Sequence, residues 1–257
     1  QPVPALADGV YDIAFADGAN KLMIRISGPA TPGDVVVWDI ALAAPTTVVR
    51  SSLAGLSQRD FVAPEVVRFP ARDGVMLQGL LYLPQIEDTD PTPPLVINVH
   101  GGPTAQARPS FRPQLQYLIN TGIAVLDINV RGSTGFGKTY ARLDNQEKRL
   151  DSVRDLADAV AYFARDERID ANRVAVMGGS YGGYMVNAVL GSYPGVFDAC
   201  VSMVGVSDWV RALEDASPSL KASDRIEYGD ISEQRWQTFY TENSPLNNAE
   251  RIDVPLL

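Results

Sequence analysis

Three short stretches of this chain combine residue types that can do chemistry. The first is Met177-Gly178-Gly179-Ser180-Tyr181-Gly182-Gly183-Tyr184. The apolar run Arg173–Met177 leads into it, and the helical pattern Tyr184–Leu190 leads out. Strand, Gly-x-Ser-x-Gly, helix is the context in which a serine is presented as a nucleophile on a sharp turn. Gly178 and Gly182 must lack side chains there, because a Cβ would strike the neighbouring strand or helix. Such a turn lifts the Ser180 hydroxyl above the sheet edge, and the helix N-terminus behind it favours developing negative charge. The plainer alternative is an inert serine in a glycine-rich turn.

The second stretch, His100-Gly101-Gly102-Pro103, follows the strand-like run Leu95–Val99. Glycines at a strand end let the backbone approach a carbonyl oxygen, as in the HGGG-type loop that completes an oxyanion hole. The N–H of Tyr181, the residue after the serine, is the other expected donor, each donor contributing about 3 kcal/mol. A serine also needs a base, usually a histidine oriented by a carboxylate, in the chain order serine, acid, histidine. His100 is the only histidine, and none follows Ser180, although Asp198, Asp208, Asp215 and Asp253 do. His100 is read as part of the oxyanion loop, with a base role and an inert strand-end role as the alternatives.

The third stretch runs from Asp127 to Gly137 and turns through three glycines. Gly132 to Lys138-Thr139 matches the spacing G-x-x-x-x-G-K-[ST], which binds phosphate only if a helix opens at Lys138. Tyr140–Gln146 shows no amphipathic pattern. The expectation is a loop buttressed by Arg131, and no cofactor or metal is implied.

These stretches need elements to hold them. Residues 10–51 read as four short strands, Val10–Phe15, Lys21–Ser27, Val35–Ile40 and Thr46–Ser51, separated by Ala16–Asn20, Gly28–Gly33 and Ala41–Pro45. Leu22, Ile24 and Ile26 alternate with Lys21, Met23 and Arg25, the mark of a half-buried strand. Four such strands make one propeller blade or a small lone sheet. Gly55–Pro64 is a polar connector, which divides the chain at residues 1–55 and 56–257. Glu65–Phe69 and Val75–Leu83 flank Asp73-Gly74, a hairpin signal. Pro84–Pro94 is an acidic, proline-rich loop. From Pro94 strands and helices alternate: Leu95–Val99, Phe111–Asn120, Ile123–Ile128, Leu150–Ala164, Arg173–Met177, the helix from Tyr184, Ala199–Val204, then helices near Asp208–Leu213 and Glu233–Tyr240. Val254–Leu257 reads as a further strand. This pattern predicts an α/β fold with a mostly parallel sheet covered on both faces.

The chain has 257 residues and a net charge of −9, which argues against a nucleic-acid partner. No apolar run of 18 residues exists, so no membrane span is expected. Gln1-Pro2-Val3-Pro4 shows neither a basic nor an apolar leader region, and the compartment is left open. Cys200 is the only cysteine and reads as core filler.

Together, His100–Pro103, Asn129–Lys138 and Gly178–Tyr184 resemble the prolyl oligopeptidase family of serine peptidases, and most of all its acylaminoacyl-peptidase and dipeptidyl-peptidase-like branch. The resemblance covers roughly residues 64–257. It implies an α/β-hydrolase domain preceded by a β-propeller, with residues 1–55 as the last blade. It implies Ser180 as nucleophile, Tyr181 and Gly102 as oxyanion donors, and a peptide as substrate. In dipeptidyl peptidases a tyrosine stands at the position of His100 and donates instead, so the second donor stays open between these groups. Tyr181, Val206 and Trp209 match substrate-pocket positions, with core packing the alternative for Val206 and Trp209. The family's acid and histidine fall beyond Leu257. The resemblance therefore implies a chain cut inside both domains, partnered by the remaining segments of the same protein and inactive alone. A homo-oligomer is compatible with the sequence. An esterase or isopeptidase on the same scaffold, and a non-catalytic binding module, are the competing functions.

Overall fold

A computed structural model describes residues 5–87 and 89–257. Gln1–Pro4, where no leader region is expected, and Asp88 of the acidic loop lie outside them. Among the described residues, two compact units emerge, residues 5–65, 82–87, 89 and 108–123 in one, and 66–81, 90–107 and 124–257 in the other.

The first unit is built on four antiparallel strands in sequence order, β1 (Val10–Ala16), β2 (Lys21–Gly28), β3 (Thr31–Asp39) and β4 (Ala44–Val49). Ile24 and Ile26 pack with Val36 and Trp38 on one face, as the alternation in β2 requires. β3 begins four residues earlier than its apolar pattern suggests. Gly28 pairs directly with Thr31, so Pro29-Ala30 alone makes the turn and Pro32-Gly33 is strand. Helix α1 (Pro113–Asn120) belongs to this unit. The Gln116 side chain accepts from Val62 N (3.0 Å) and donates to Val62 O (2.8 Å). Asn120 donates to Asp60 O, and Phe61 meets Phe111 edge to face at 5.2 Å. The connector after residue 55 is thus tied to α1, and the packing divides the chain at different places from the polar composition.

The second unit is a six-stranded sheet of β5 (Glu65–Pro70), β6 (Met76–Tyr82), β7 (Pro94–Val99), β8 (Ala124–Asn129), β9 (Asp170–Gly179) and β10 (Ala199–Met203). Their order is β10-β9-β7-β8-β6-β5. β7 runs parallel to β8 and β9, and β9 parallel to β10. Gly74, at φ 84°, makes the turn between β5 and β6, closed by Ala71 N–H on Val75 O. β8 is buried along its whole length, so the carboxylate of Asp127 needs a partner and accepts from Asn98 Nδ2 at 2.6 Å. Pro255–Leu257 lie beside β10, with Cys200 N–H on Pro255 O and Leu257 N–H on Cys200 O.

The α-helices of this unit are α2 (Lys138–Ala141), α3 (Arg149–Phe163), α4 (Tyr181–Ser192), α5 (Trp209–Glu214), α6 (Pro218–Tyr228) and α7 (Gln234–Asn243). α4 packs on β7, β9 and β10, and α3 on α4 and β9. The described side chains of α6 are largely exposed apart from Tyr228. Its ends are nevertheless marked by the Ser217 cap with Pro218 after it and by Gly229 at φ 81°.

Candidate active site

Ser180 stands exposed between β9 and α4 at φ 56°, ψ −120°. A non-glycine residue held at positive φ is strained, and such strain persists only where the surroundings over-determine it. Here they do. Ser180 N–H donates to Met203 O at 2.9 Å, and Ser180 O accepts from Tyr184 N–H at 3.0 Å. A Cβ on Gly178 would lie 2.5 Å from Gly182 O, and one on Gly182 would run into Val99 O. A Cβ on Gly183 would lie 2.7 Å from Gly205 Cα. Backbone meets backbone on three sides of the turn, which is what its glycines permit.

The loop after β7 lies alongside. A Cβ on Gly101 would sit 3.2 Å from Gly179 O and 3.5 Å from Ser180 Cβ. Gly102, at φ 128°, adopts a conformation that side chains disfavour. The His100 ring bonds at both nitrogens: Nδ1 with Gly101 O at 2.7 Å and Nε2 with Ser133 Oγ at 2.8 Å. The Ser133 hydroxyl itself donates to Val130 O at 2.7 Å, at the end of β8. His100 thus ties the glycine loop to the loop after β8.

That second loop is closed by its own protein groups. Gly132 N–H donates to Tyr140 O and Thr134 N–H to Ala105 O. The Asp144 carboxylate fills the space a Gly132 side chain would need, and Gln106 does the same at Gly135. Lys138 opens a helix of only four residues. A carboxylate stands where a phosphate-binding loop would require an anion's space. Arg131 is the buttress: it bonds Asp155 at 2.7 Å and Asp73 at 2.8 Å, and the two acids reach it from α3 and the β5–β6 turn. The Arg131 guanidinium holds the Asp73 carboxyl down at about 2, whereas burial raises that of Asp155 to about 6.

Tyr181 is buried, at 3% exposure. Its ring lies 5.5 Å from that of Tyr184 and 6.4 Å from that of Trp209. Trp209 is buried as well, against Tyr184 and Tyr228, each at 4.9 Å. Val206 is half-buried on the loop between β10 and α5, next to the Gly205 that packs on Gly183. Tyr181 and Trp209 therefore share one aromatic cluster.

Three charged residues of this cluster escaped the reading of the sequence. Arg149, 1% exposed, donates to the Tyr181 hydroxyl at 2.7 Å and to Glu227 Oε1 at 3.0 Å, and it lies 3.7 Å from Asp144. Burial raises the Asp144 carboxyl to about 6 and pushes Glu227 and the Tyr181 phenol upward. The available signal was periodicity. Arg149 stands four residues before Val153, on the apolar stripe of α3, where a charge has to find buried partners. Among the described residues, no group of three His, Cys, Asp or Glu side chains is arranged to hold a metal, and no helix is long and apolar enough to cross a membrane.

The comparisons with known proteins agree with this geometry. Residues 109–257 match the model of the prolyl oligopeptidase family. Dipeptidyl aminopeptidase BIII of Pseudoxanthomonas mexicana is 35% identical over 84% of the chain and 32% of its own length. The acylamino-acid-releasing enzyme of Sus scrofa is 32% identical over 72% of the chain and 26% of its own length. Among solved structures, a puromycin-hydrolyzing peptidase of Mycobacterium tuberculosis superposes with a TM-score of 0.84 at 25% identity, covering 92% of the chain and 37% of its own. The acylaminoacyl peptidase of Pyrococcus horikoshii does so at 0.80 and 25%, covering 97% and 39%. The chain spans about a third of the length of the curated relatives it matches. With the serine turn, the glycine loop and the sheet order in place, the family match over residues 109–257 makes this chain a member of the prolyl oligopeptidase family, with the α/β-hydrolase fold of its catalytic domains.

Proposed function

We propose that this chain carries the nucleophile and oxyanion half of a serine peptidase site that cleaves amide bonds of short peptides through an acyl-enzyme. The observation that carries the reading is Ser180, exposed at φ 56° between β9 and α4 with the Gly101 backbone beside its Cβ. Ser180 attacks the carbonyl, and Tyr181 N–H and Gly102 N–H receive the oxyanion. His100 serves that loop by bracing it to Ser133. Tyr181, Val206 and Trp209 shape the wall that the substrate side chain meets. The relatives named as dipeptidyl aminopeptidase and acylamino-acid-releasing enzyme support a peptide substrate cut near its N-terminus. We place the base and its acid in another segment of the same protein, because Nε2 of the one histidine present is engaged by Ser133 and its Nδ1 by a backbone carbonyl, where a catalytic histidine has the nucleophile and a carboxylate. The β1–β4 sheet acts as one blade of a propeller that limits substrate size.

A fluorophosphonate probe on the full-length protein tests the nucleophile. Labelling lost in Ser180→Ala is the expected result, and labelling that survives it refutes the reading. Acylaminoacyl amides, dipeptidyl amides and simple acyl esters, assayed side by side, separate peptidase from esterase. One observation favours a second reading. The engagement of His100 Nε2 by Ser133 Oγ at 2.8 Å suits a binding module without a base, and a full-length protein that takes no probe and turns over none of these substrates establishes it.

A further inference from the structure

Arg149 has no part in the chemistry described so far, yet its guanidinium lies inside the protein at 1% exposure. A charge removed from water persists only where the surroundings compensate it. The compensation here comes from three elements. Glu227 of α6 accepts at 3.0 Å, the Tyr228 ring lies 4.0 Å beneath the guanidinium carbon, and Asp144 stands at 3.7 Å. A further partner is the Tyr181 hydroxyl at 2.7 Å, with Tyr181 the first residue of α4 and the residue after Ser180. Its other hydrogen-bond neighbour, Ser152 Oγ, is distant at 3.5 Å.

The turn itself explains why that bond matters. In Gly178-Gly179-Ser180-Tyr181-Gly182-Gly183, only Ser180 and Tyr181 carry side chains. The serine hydroxyl must stay available to substrate. The Tyr181 ring is then the one side-chain handle by which the rest of the fold can hold the turn. We propose that Arg149 is a positioning residue for catalysis: by holding the Tyr181 hydroxyl it fixes the first turn of α4 and aims the Tyr181 N–H at the substrate's carbonyl oxygen. This inference rests on the reading of Ser180 as nucleophile and Tyr181 N–H as oxyanion donor.

The test uses a fluorophosphonate probe on the full-length protein, separating the maximal inactivation rate from the probe's binding constant. The variants are Arg149→Met, Tyr181→Phe, the two together, Glu227→Gln and Ser180→Ala. Arg149→Met and Tyr181→Phe are each expected to lower the maximal rate on the order of tenfold or more, with binding within about twofold, because they misdirect a donor that acts on the transition state. The double variant loses no more than the worse single, since both remove one interaction. Glu227→Gln leaves the Arg149–Tyr181 bond in place and costs less than about threefold. Losses that multiply in the double variant, that fall on binding alone, or that are absent overturn the inference. Tyr181→Phe removes a single oxygen and decides the matter even where Arg149→Met fails to fold. A probe that labels Ser180→Ala, or fails on the wild type, removes the peptidase reading itself. Loss of labelling in Ser180→Ala with wild-type rates in the Arg149 and Tyr181 variants removes only this inference.

Discussion

Gly178 and Gly179 are adjacent in the chain, and the structure assigns them opposite tolerance. A Cβ on Gly178 would lie 2.5 Å from Gly182 O, 2.6 Å from Gly182 C and 3.0 Å from Gly182 Cα. Ordinary contact begins at 3.4 Å, so the Gly182 peptide must retreat by about 0.9 Å (3.4 minus 2.5). It cannot retreat freely, because the far side of Gly182 already abuts Val99 O and His100 O. No rotamer change relieves a backbone clash, so Gly178→Ala is expected to cost about 2–3 kcal/mol, the upper part of the range for overpacking. A Cβ on Gly179 would meet nothing closer than Met203 O at 3.8 Å. Gly179→Ala is therefore expected to stay within about 0.5 kcal/mol of wild type. Urea melts of the 257-residue chain measure both. In the full-length protein, a displacement approaching 1 Å at the turn slows labelling of Ser180 by on the order of a hundredfold in Gly178→Ala. Equal midpoints for the two variants, or a Gly178→Ala protein labelled at the wild-type rate, would show that the turn is not packed backbone against backbone.

Three further outcomes follow from other parts of the fold. Arg131→Met leaves the fully buried Asp155 carboxylate without its guanidinium and is expected to cost about 3–5 kcal/mol in a urea melt; a loss under about 1 kcal/mol contradicts the buttress. Burial raises the Asp144 carboxyl to about 6, above its unfolded value near 4, so the folded state holds that proton more tightly. The stability it contributes is present in full below about pH 4 and is lost as pH rises through about 6; Asp144→Asn should remove on the order of 2–3 kcal/mol of that decline, and an equally steep profile refutes the assignment. Val204 is 89% exposed at φ 47°, a conformation costly for a β-branched side chain. Val204→Gly is expected to raise stability by about 1 kcal/mol, and a lowered melting midpoint would count against strain there.

What the sequence made legible had local causes. The serine turn stood out because a β-branched run, glycines at fixed offsets and a helical pattern occur within about fifteen residues of one another, and each follows from steric demands of that turn. The β5–β6 turn was legible for the same reason, since Asp73-Gly74 supplies the positive φ it needs. β3 was foreshortened because Pro32-Gly33 reads as turn material, whereas only the pairing of Gly28 with Thr31 reveals a two-residue turn at Pro29-Ala30. α6 was missed because its large apolar side chains are few, and Leu220 and Ile226 stay exposed instead of joining the core. The division after residue 55 followed a polar connector, yet Gln116 and Asn120 clasp that connector from a helix more than fifty residues away. Hydrogen bonds of that span leave no trace in local composition.

The site divides along the same line. The atoms proposed to do chemistry lie in contiguous motifs, because a nucleophile and its oxyanion donors are set by short turns. The groups that hold them do not. Arg149 meets Tyr181 32 positions on and Glu227 78 positions on. His100 meets Ser133 33 positions on. A turn made mostly of glycine gains close backbone approach and gives up the side chains by which it could be gripped. Its rigidity has to be imported from distant parts of the chain, through a buried ring and the cation that bonds it. Motif reading therefore finds the reacting groups early and their supports late. The most informative positions still to be probed are charged residues that helical periodicity places on an apolar face, as it does Arg149 on α3.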